Sequence, residues 1–238
     1  MTDKRIDGGV AHTLYDRLRR DIVFGRLAAA AKLPLGELKE SYGVSVSTLR
    51  EALNRLAAEG FVMTEGQRGF FVAPMTREGL RDIAALRILI EGYAFEKSIE
   101  HGDTDWEASI VAAHHKLHRL EQRMIQGDVS VRENWKQHDW EFHQALIAAC
   151  GSAELLRLHQ TVFDKYLRYQ VRVLTFRGTL AAQEHKDLLD AALSRNVAQG
   201  ADVLRRHIDG GVEHSLAHWG GVNRPPTQAR KSIIHITL

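Results

Sequence analysis

The sequence predicts a mainly α-helical protein in two parts. A small N-terminal domain contains three short helices and a β-hairpin, and a larger C-terminal domain is an all-helical bundle. Three observations predict this fold. Apolar residues recur at helical spacing along most of the chain. Proline is absent from Met75 to Val222, which suits long helices. Two β-rich runs surround a glycine-bearing turn within residues 61–72, which is typical of a hairpin.

The composition excludes several classes of protein. Hydrophobic residues make up 44% and charged residues 26% of the 238 residues, so we expect a packed core. Residues 1–10 lack the apolar stretch of a secretory signal, and no stretch approaches the roughly 18 apolar residues of a membrane span. The single cysteine, Cys150, cannot form an internal disulfide. These features predict a protein of the reducing cytoplasm that has no membrane partner.

The charge balance excludes one kind of nucleic-acid binding. The formal net charge is only +2. A protein that binds nucleic acid through a generic polybasic surface carries a much larger basic excess. The low net charge is still compatible with a protein that recognises DNA through a few specific side-chain contacts.

Three short helices are predicted before the hairpin. An apolar stripe places the first helix at residues 13–24. The second is expected at residues 35–42, and the third begins after the capping residue Ser45 and ends at Gly60. The turn around Gly43 gives the last two helices the spacing of a helix-turn-helix.

The hairpin completes a winged helix-turn-helix domain. Its strands are expected at residues 61–64 and 70–72, with the turn at residues 65–69. Pro74 marks the end of this domain, which we place at residues 1–75. Residues 76–222 form the helical domain, and residues 223–238 form a tail to which the sequence assigns no role. Glycines separate six predicted helices of the second domain, at residues 77–100, 105–126, 131–149, 153–177, 180–195 and 197–218.

The third helix is the predicted recognition helix of a DNA-binding domain. Such a helix presents its N-terminal residues to base edges in the major groove. The residues at this position are Ser45, Val46, Ser47, Thr48 and Arg50, of which the three hydroxyls and the guanidinium are the candidate contacts. At the wing tip, Gln67 and Arg68 are placed to reach the backbone or the minor groove. The alternative is that the serine and threonine residues only cap a helix.

Three C-terminal helices each carry a metal-competent group on an apolar face. Asp139 and His143 are four residues apart, so both side chains point the same way. His185 and His207 each interrupt an apolar stripe. One carboxylate and three imidazoles suit a divalent ion such as Zn²⁺, Ni²⁺ or Co²⁺. The alternative for each histidine is a hydrogen-bonded core residue, and Asp139 with His143 could form a simple ion pair.

A second group of histidines is interpreted differently. His114, His115 and His118 lie close together in the sequence, but the apolar stripe of their helix is defined by other residues, such as Leu117. We therefore expect this cluster on the flank or the surface of its helix.

Residues 14–73 resemble the DNA-binding domain of the GntR family. The likeness is carried by the run from Tyr42 to Leu53 and by Arg55, Leu56, Glu59 and Gly60. The sequence departs from the family pattern at Gly36 and Val46, where the family often has basic residues. These departures leave Arg50 as the main basic contact of the recognition helix.

Residues 80–215 resemble the FCD effector domain of the same family. The likeness is carried by four pieces: Arg87 to Glu91, Asp139 to His143, Glu184 with His185, and His207. In metal-binding members an Asp-x-x-x-His pair and two later histidines hold the ion. The resemblance therefore implies that Asp139, His143, His185 and His207 are ligands.

The resemblance also implies an effector and a homodimer. Members of this type respond to small organic acids, and the segments at residues 150–152 and 35–40 resemble a subgroup that regulates the use of glutarate and related dicarboxylates. Arg87 could clamp an effector carboxylate bidentately. The alternative is a salt bridge from Arg87 to Glu91, one helical turn away.

The sequence thus predicts a DNA-binding regulator, which we expect to be a repressor. A small carboxylate bound at a metal site is expected to control its affinity for the operator. Two alternatives stay open. The chain could be a metal-dependent hydrolase or lyase, although it has no HExxH motif, nucleophile elbow or phosphate-binding glycine loop. It could instead be a DNA-binding dimer whose helical domain is purely structural.

Overall fold

The structure, a computed structural model, describes the backbone of residues 4–173 and 176–219, and the side chains among them from residue 13 onward. It confirms the mainly α-helical fold. The predicted tail at residues 223–238 lies outside the described residues. No helix in the described part of the chain is both long enough and apolar enough to cross a bilayer.

The N-terminal domain contains three helices and a small antiparallel sheet. The helices are α1 (Lys4–Val23), α2 (Leu35–Tyr42) and α3 (Val46–Ala58), and the strands are β1 (Lys32–Leu33), β2 (Val62–Thr64) and β3 (Phe70–Val72). The strand order is β1-β3-β2, and a short 3₁₀ turn at Gly66–Arg68 joins β2 to β3. The predicted winged helix-turn-helix is therefore present.

Two details of this domain differ from the prediction. Helix α1 begins at Lys4 and not near residue 13, because the predicted start was the first residue of the apolar stripe and the backbone remains helical before it. Strand β1 was not predicted, because two residues are too short to show an alternating pattern. Its pairing of Leu33 with Phe70 makes β3 the central strand.

The C-terminal domain contains six helices. They are α4 (Arg77–His101), α5 (Thr104–Ile125), α6 (Arg132–Ile147), α7 (Ala153–Val173), α8 (Thr179–Leu193) and α9 (Val197–Ala217). Helix α4 packs on α7 and α9, and α5 packs on α6 and α8. The predicted extension of α7 to residue 177 is wrong, because Phe176 and Arg177 lie outside any helix.

Helix α7 belongs to both halves of the protein. Phe163, Leu167 and Val171 on this helix are part of the apolar core of the N-terminal domain. Tyr166 and Tyr169 on another face of α7 are part of the core of the C-terminal domain. Helix α7 therefore contributes to both apolar cores, and the domain boundary at Pro74 stays a prediction.

Candidate metal centre and nucleic-acid interface

The four predicted metal ligands converge in the C-terminal domain. Asp139 and His143 come from α6, His185 from α8 and His207 from α9. Each offers a ligand atom, and these atoms all lie within 4.8 Å of one another. All four side chains are buried. The apolar stripes of the three helices pack together, and this packing brings the polar residues on the stripes to one point.

Each of the three histidines is held by a buried carboxylate on its far side. His143 Nδ1 lies 2.5 Å from Glu91 Oε1, and His185 Nδ1 lies 2.6 Å from Glu121 Oε1. His207 Nδ1 lies 2.8 Å from Glu184 Oε2. A carboxylate on Nδ1 favours the tautomer that carries its proton there, which leaves Nε2 as the free ligand atom.

The inward atoms of the cluster fit a bound cation. Nε2 of His143 and Nε2 of His185 are buried and have no hydrogen-bond partner among the described residues. Asp139 Oδ1 lies 3.2 Å from His185 Nε2 and 3.9 Å from His143 Nε2. Buried polar atoms without partners are costly. A divalent ion with nitrogen and oxygen ligands would satisfy them.

The electrostatics of the cluster favour metal binding. Burial opposes the charge on Asp139, but Lys136 and the nearby imidazole of His185 outweigh it and hold the pKa of the carboxyl well below its usual range. Burial lowers the pKa of His143, and burial together with His185 holds that of His207 well below its usual value. Asp139 is therefore ionised, while His143 and His207 are neutral.

His185 is the exception among the imidazoles. Burial opposes its charge, but the nearby carboxylates of Asp139 and Glu121 outweigh burial and raise its pKa to about 9. The ring of His185 lies between these two carboxylates, with Glu121 at Nδ1 and Asp139 at Nε2. A metal ion held by Nε2 would displace the proton from that atom.

Two cationic side chains that the sequence analysis did not single out flank the cluster. Lys136 Nζ lies 3.4 Å from Asp139 Oδ2 and 2.6 Å from Gln170 Oε1. Arg177 Nη2 lies 2.6 Å from Glu184 Oε2 and donates to the carbonyl of His207. Lys136, Gln170 and Arg177 line a cavity together with three of the predicted ligands, Asp139, His185 and His207. Burial lowers the pKa of Lys136.

Arg87, the predicted effector contact, lies elsewhere. Its side chain is 2% exposed, and its Nε donates to Glu91 Oε2 at 2.7 Å. Its guanidinium stacks on Phe163 and Tyr166 of α7. The salt bridge considered as the alternative from the sequence is present, and Arg87 does not line the cavity. A direct contact between Arg87 and an effector stays a prediction.

The histidine cluster of α5 was only partly predicted. His115 and His118 are exposed, as expected. His114 is buried, at 8% exposure, so its placement on the flank or the surface was wrong. The reason is that His114 packs its ring against Phe142 of α6, on the side where α5 meets that helix.

The predicted DNA contacts lie at the start of α3 and at the wing tip. Ser45 accepts a hydrogen bond from the backbone N–H of Thr48 at 3.1 Å, so it does cap the helix. Ser47 and Arg50 are exposed. Gln67 and Arg68 are also exposed, and Arg68 forms an ion pair with Glu65. Ser45 therefore caps α3, whereas the DNA contacts of these exposed side chains stay a prediction.

Comparison with known families gives two matches. Residues 10–72 match the family described as bacterial regulatory proteins, gntR family. Residues 82–210 match the FCD domain.

Similar proteins are transcription regulators. The HTH-type transcriptional regulator BphR of Paraburkholderia xenovorans is 40% identical over 201 residues, which are 83% of this chain and 82% of that protein. The HTH-type transcriptional repressor GlaR of Escherichia coli is 32% identical over 216 residues, which are 87% of this chain and 94% of that protein.

Solved structures share the fold. Escherichia coli McbR/YncC matches with a TM-score of 0.75 at 17% identity, over 88% of this chain and 98% of that chain. A GntR regulator from Rhodococcus sp. RHA1 matches with a TM-score of 0.70 at 20% identity, over 87% of this chain and 97% of that chain.

Proposed function

Since this chain belongs to the GntR family of transcription regulators and carries an FCD domain, we propose that it is a repressor whose operator affinity depends on a small organic acid bound beside a divalent metal ion. The family and the similar proteins are regulators and not enzymes, so the hydrolase or lyase alternative is set aside.

The observation that carries the metal part of the proposal is the set of three imidazole–carboxylate pairs. They orient the histidines so that Nε2 of His143 and of His185 are buried without partners beside Asp139. Asp139, His143, His185 and His207 would hold the ion. Three nitrogens and one oxygen suit Zn²⁺, with Ni²⁺ or Co²⁺ as the alternatives. The ion would supply a Lewis-acid position for an oxygen of the effector.

The side chains of the cavity support an anionic effector. Lys136 lies at the Asp139 edge of the cluster, and Arg177 lies at the His207 edge. A carboxylate can accept charge-assisted hydrogen bonds from either cation. Two cations at different edges favour a dicarboxylate over a monocarboxylate, since each cation can then meet its own carboxylate. We therefore assign the effector contacts to Lys136 and Arg177 and not to Arg87.

The N-terminal domain supplies the DNA contacts of the proposed repressor. The exposed Ser47 and Arg50 of α3 would meet base edges, and Gln67 and Arg68 would meet the backbone or the minor groove. Ser45 and Thr48 would contact phosphate beside their role in the cap. A homodimer would place two such helices about 34 Å apart, which is one turn of the operator.

The test is operator binding measured by fluorescence anisotropy with DNA from upstream of the protein's own gene. Zinc-loaded protein is titrated with and without a panel of mono- and dicarboxylates, and the series is repeated after chelation. We expect a dicarboxylate to shift the operator affinity about 5–150-fold, the usual range of allosteric coupling, and the shift to vanish without metal.

The other outcomes separate the alternatives. Specific binding that responds to no acid and is indifferent to chelation would support a purely structural helical domain and overturn the sensor. A response to acids that survives complete metal removal would overturn the role of the metal alone. A larger response to monocarboxylates would overturn the proposed effector class.

A further inference from the structure

One helix, α7, touches both the candidate metal centre and the DNA-binding domain. Phe163, Leu167 and Val171 lie in the core of the N-terminal domain. Gln170, on another face of the same helix, lines the effector cavity and accepts a hydrogen bond from Lys136. A displacement of α7 would therefore change side-chain contacts both in the core of the N-terminal domain and beside the metal cluster.

The link from the metal centre to α7 consists of buried polar side chains. Nδ1 of the proposed ligand His143 is hydrogen-bonded to Glu91 Oε1. The other oxygen of that carboxylate lies 2.8 Å from His159 Nε2 on α7. All three side chains have no exposed area. Arg87 completes the link, because it is paired with Glu91 and its guanidinium lies 4.2 Å from the centre of the Phe163 ring of α7.

The link from α7 to the DNA-binding domain is an ion-pair group. Asp164 Oδ2 accepts from Arg19 Nε of α1 at 2.7 Å, and Arg19 Nη1 lies 3.1 Å from Glu59 Oε2. Glu59 is the C-terminal capping position of the recognition helix α3. One guanidinium thus joins α7 to the end of α3. A further hydrogen bond, from Arg168 Nη2 to the backbone carbonyl of Ala73, connects α7 to the segment between β3 and α4.

We infer that α7 transmits the state of the metal centre to the recognition helix, with His159 as the positioning residue at the metal end and Asp164 as the positioning residue at the DNA end. The two residues are five positions apart, about 7.5 Å along one helix. A ligated His143 fixes Glu91, Glu91 fixes His159, and the same helix places Asp164 against Arg19. This inference rests on the proposed function, because it requires the four-residue cluster to bind metal.

The experiment measures amide hydrogen exchange of the full chain with and without Zn²⁺, and it needs neither effector nor DNA. Zinc binding is measured separately by competition with a chromophoric chelator. In the wild type we expect Zn²⁺ to slow exchange in α7 and also in residues 13–23 of α1, by about 5–150-fold if the coupling has an ordinary strength. Peptides from β2 and β3 are the internal reference.

Two variants and a matched control locate the link. Asp164→Asn keeps the size of the side chain and removes its charge, so Zn²⁺ should still slow exchange in α7 but no longer in α1. His159→Gln keeps a donor for Glu91, so the protein should fold and bind zinc, with the response of both helices reduced. Glu154→Gln removes an exposed ion pair with Arg157 in the first turns of the same helix, is not part of the proposed route, and should behave as wild type.

The outcomes are distinguishable. Zinc binding without any change in α1 of the wild type would overturn the inference and leave the metal site standing. A full α1 response in Asp164→Asn would overturn the role of Asp164, and with it this route. Absence of zinc binding, seen directly in the competition assay, would overturn the proposed metal site together with this inference.

Discussion

His185 and Glu121 form a short hydrogen bond inside the C-terminal domain: Nδ1 of the imidazole lies 2.6 Å from Oε1 of the carboxylate, and neither side chain is more than 1% exposed. The pair has one function in a metal site and another in a plain core. In a metal site the carboxylate orients the ring and makes Nε2 a stronger ligand. In a plain core it only neutralises a buried proton.

Glu121→Gln distinguishes these two functions. The amide keeps an acceptor for His185 but loses the negative charge. We expect the affinity for Zn²⁺ to fall about 10–100-fold, as is usual when an outer-shell partner of a ligand is changed. Chelator competition measures the loss. Glu213→Gln, an exposed change on α9, is the control. Unchanged zinc affinity in a folded Glu121→Gln protein would contradict the assignment.

Lys136→Met tests the effector contact. Removal of a hydrogen bond to a charged group costs about 1.5–3 kcal/mol, so the effector should bind at least about tenfold more weakly. Zinc affinity should stay the same or rise, because the variant removes a cation that lies 3.4 Å from Asp139 Oδ2. Calorimetry with the active dicarboxylate measures the first effect, and chelator competition measures the second.

Lys116→Met, an exposed change on α5, is the matched control for this prediction. If Lys136→Met weakened zinc and effector binding in parallel, the lysine would support the metal site and not the effector.

The sequence was sufficient to predict that these four polar side chains face the core, because each interrupts an apolar helical stripe, whereas their role as metal ligands stays a prediction. Asp139, His143, His185 and His207 occupy positions where a buried apolar residue was expected, and three stripes that face one core must meet. The same signal was available for Glu121, which is one helical turn beyond the buried Leu117 and is fully buried itself.

Other parts of the site could not be predicted from the sequence. Lys136 and Arg177 look like ordinary solvated charges in the sequence, and only the packing of α6 and the position of Arg177 before α8 place them beside the cluster. The boundaries of α2 agreed with the structure because Pro34 and Gly43 bracket it, and Gly43 has the left-handed φ of 66° that ends the helix. No such local signal links Asp164 to Arg19, which is 145 residues away.

Arg50→Ala tests direct reading of the operator. The side chain is exposed on the recognition helix, and its loss should cost about 1–3 kcal/mol on the operator, with a smaller effect on unrelated DNA. Anisotropy titrations at one fixed salt concentration measure both. Arg205→Ala on α9 removes an exposed arginine of the other domain and should change neither. An equal loss on both DNA sequences would show that Arg50 contacts only phosphate.

Ser45→Ala and Ser47→Ala separate the capping of α3 from the reading of DNA. Ser45 accepts from the backbone N–H of Thr48, so its replacement removes an N-cap and should lower the free energy of unfolding by about 1 kcal/mol. Ser47 lies within the first turn and is exposed, so its replacement should leave that free energy nearly unchanged. Urea unfolding of zinc-loaded protein measures both values.

Operator affinity should show the opposite order. Under native conditions almost every molecule of Ser45→Ala remains folded, because a loss of about 1 kcal/mol is small against the usual 5–15 kcal/mol. Its operator affinity should therefore fall less than that of Ser47→Ala, because the Ser45 hydroxyl is assigned a phosphate contact and not a base contact. Ser47→Ala should bind the operator more weakly, since its hydroxyl is free of the cap. Equal effects of the two variants on stability would show that Ser45 does not cap α3 in solution.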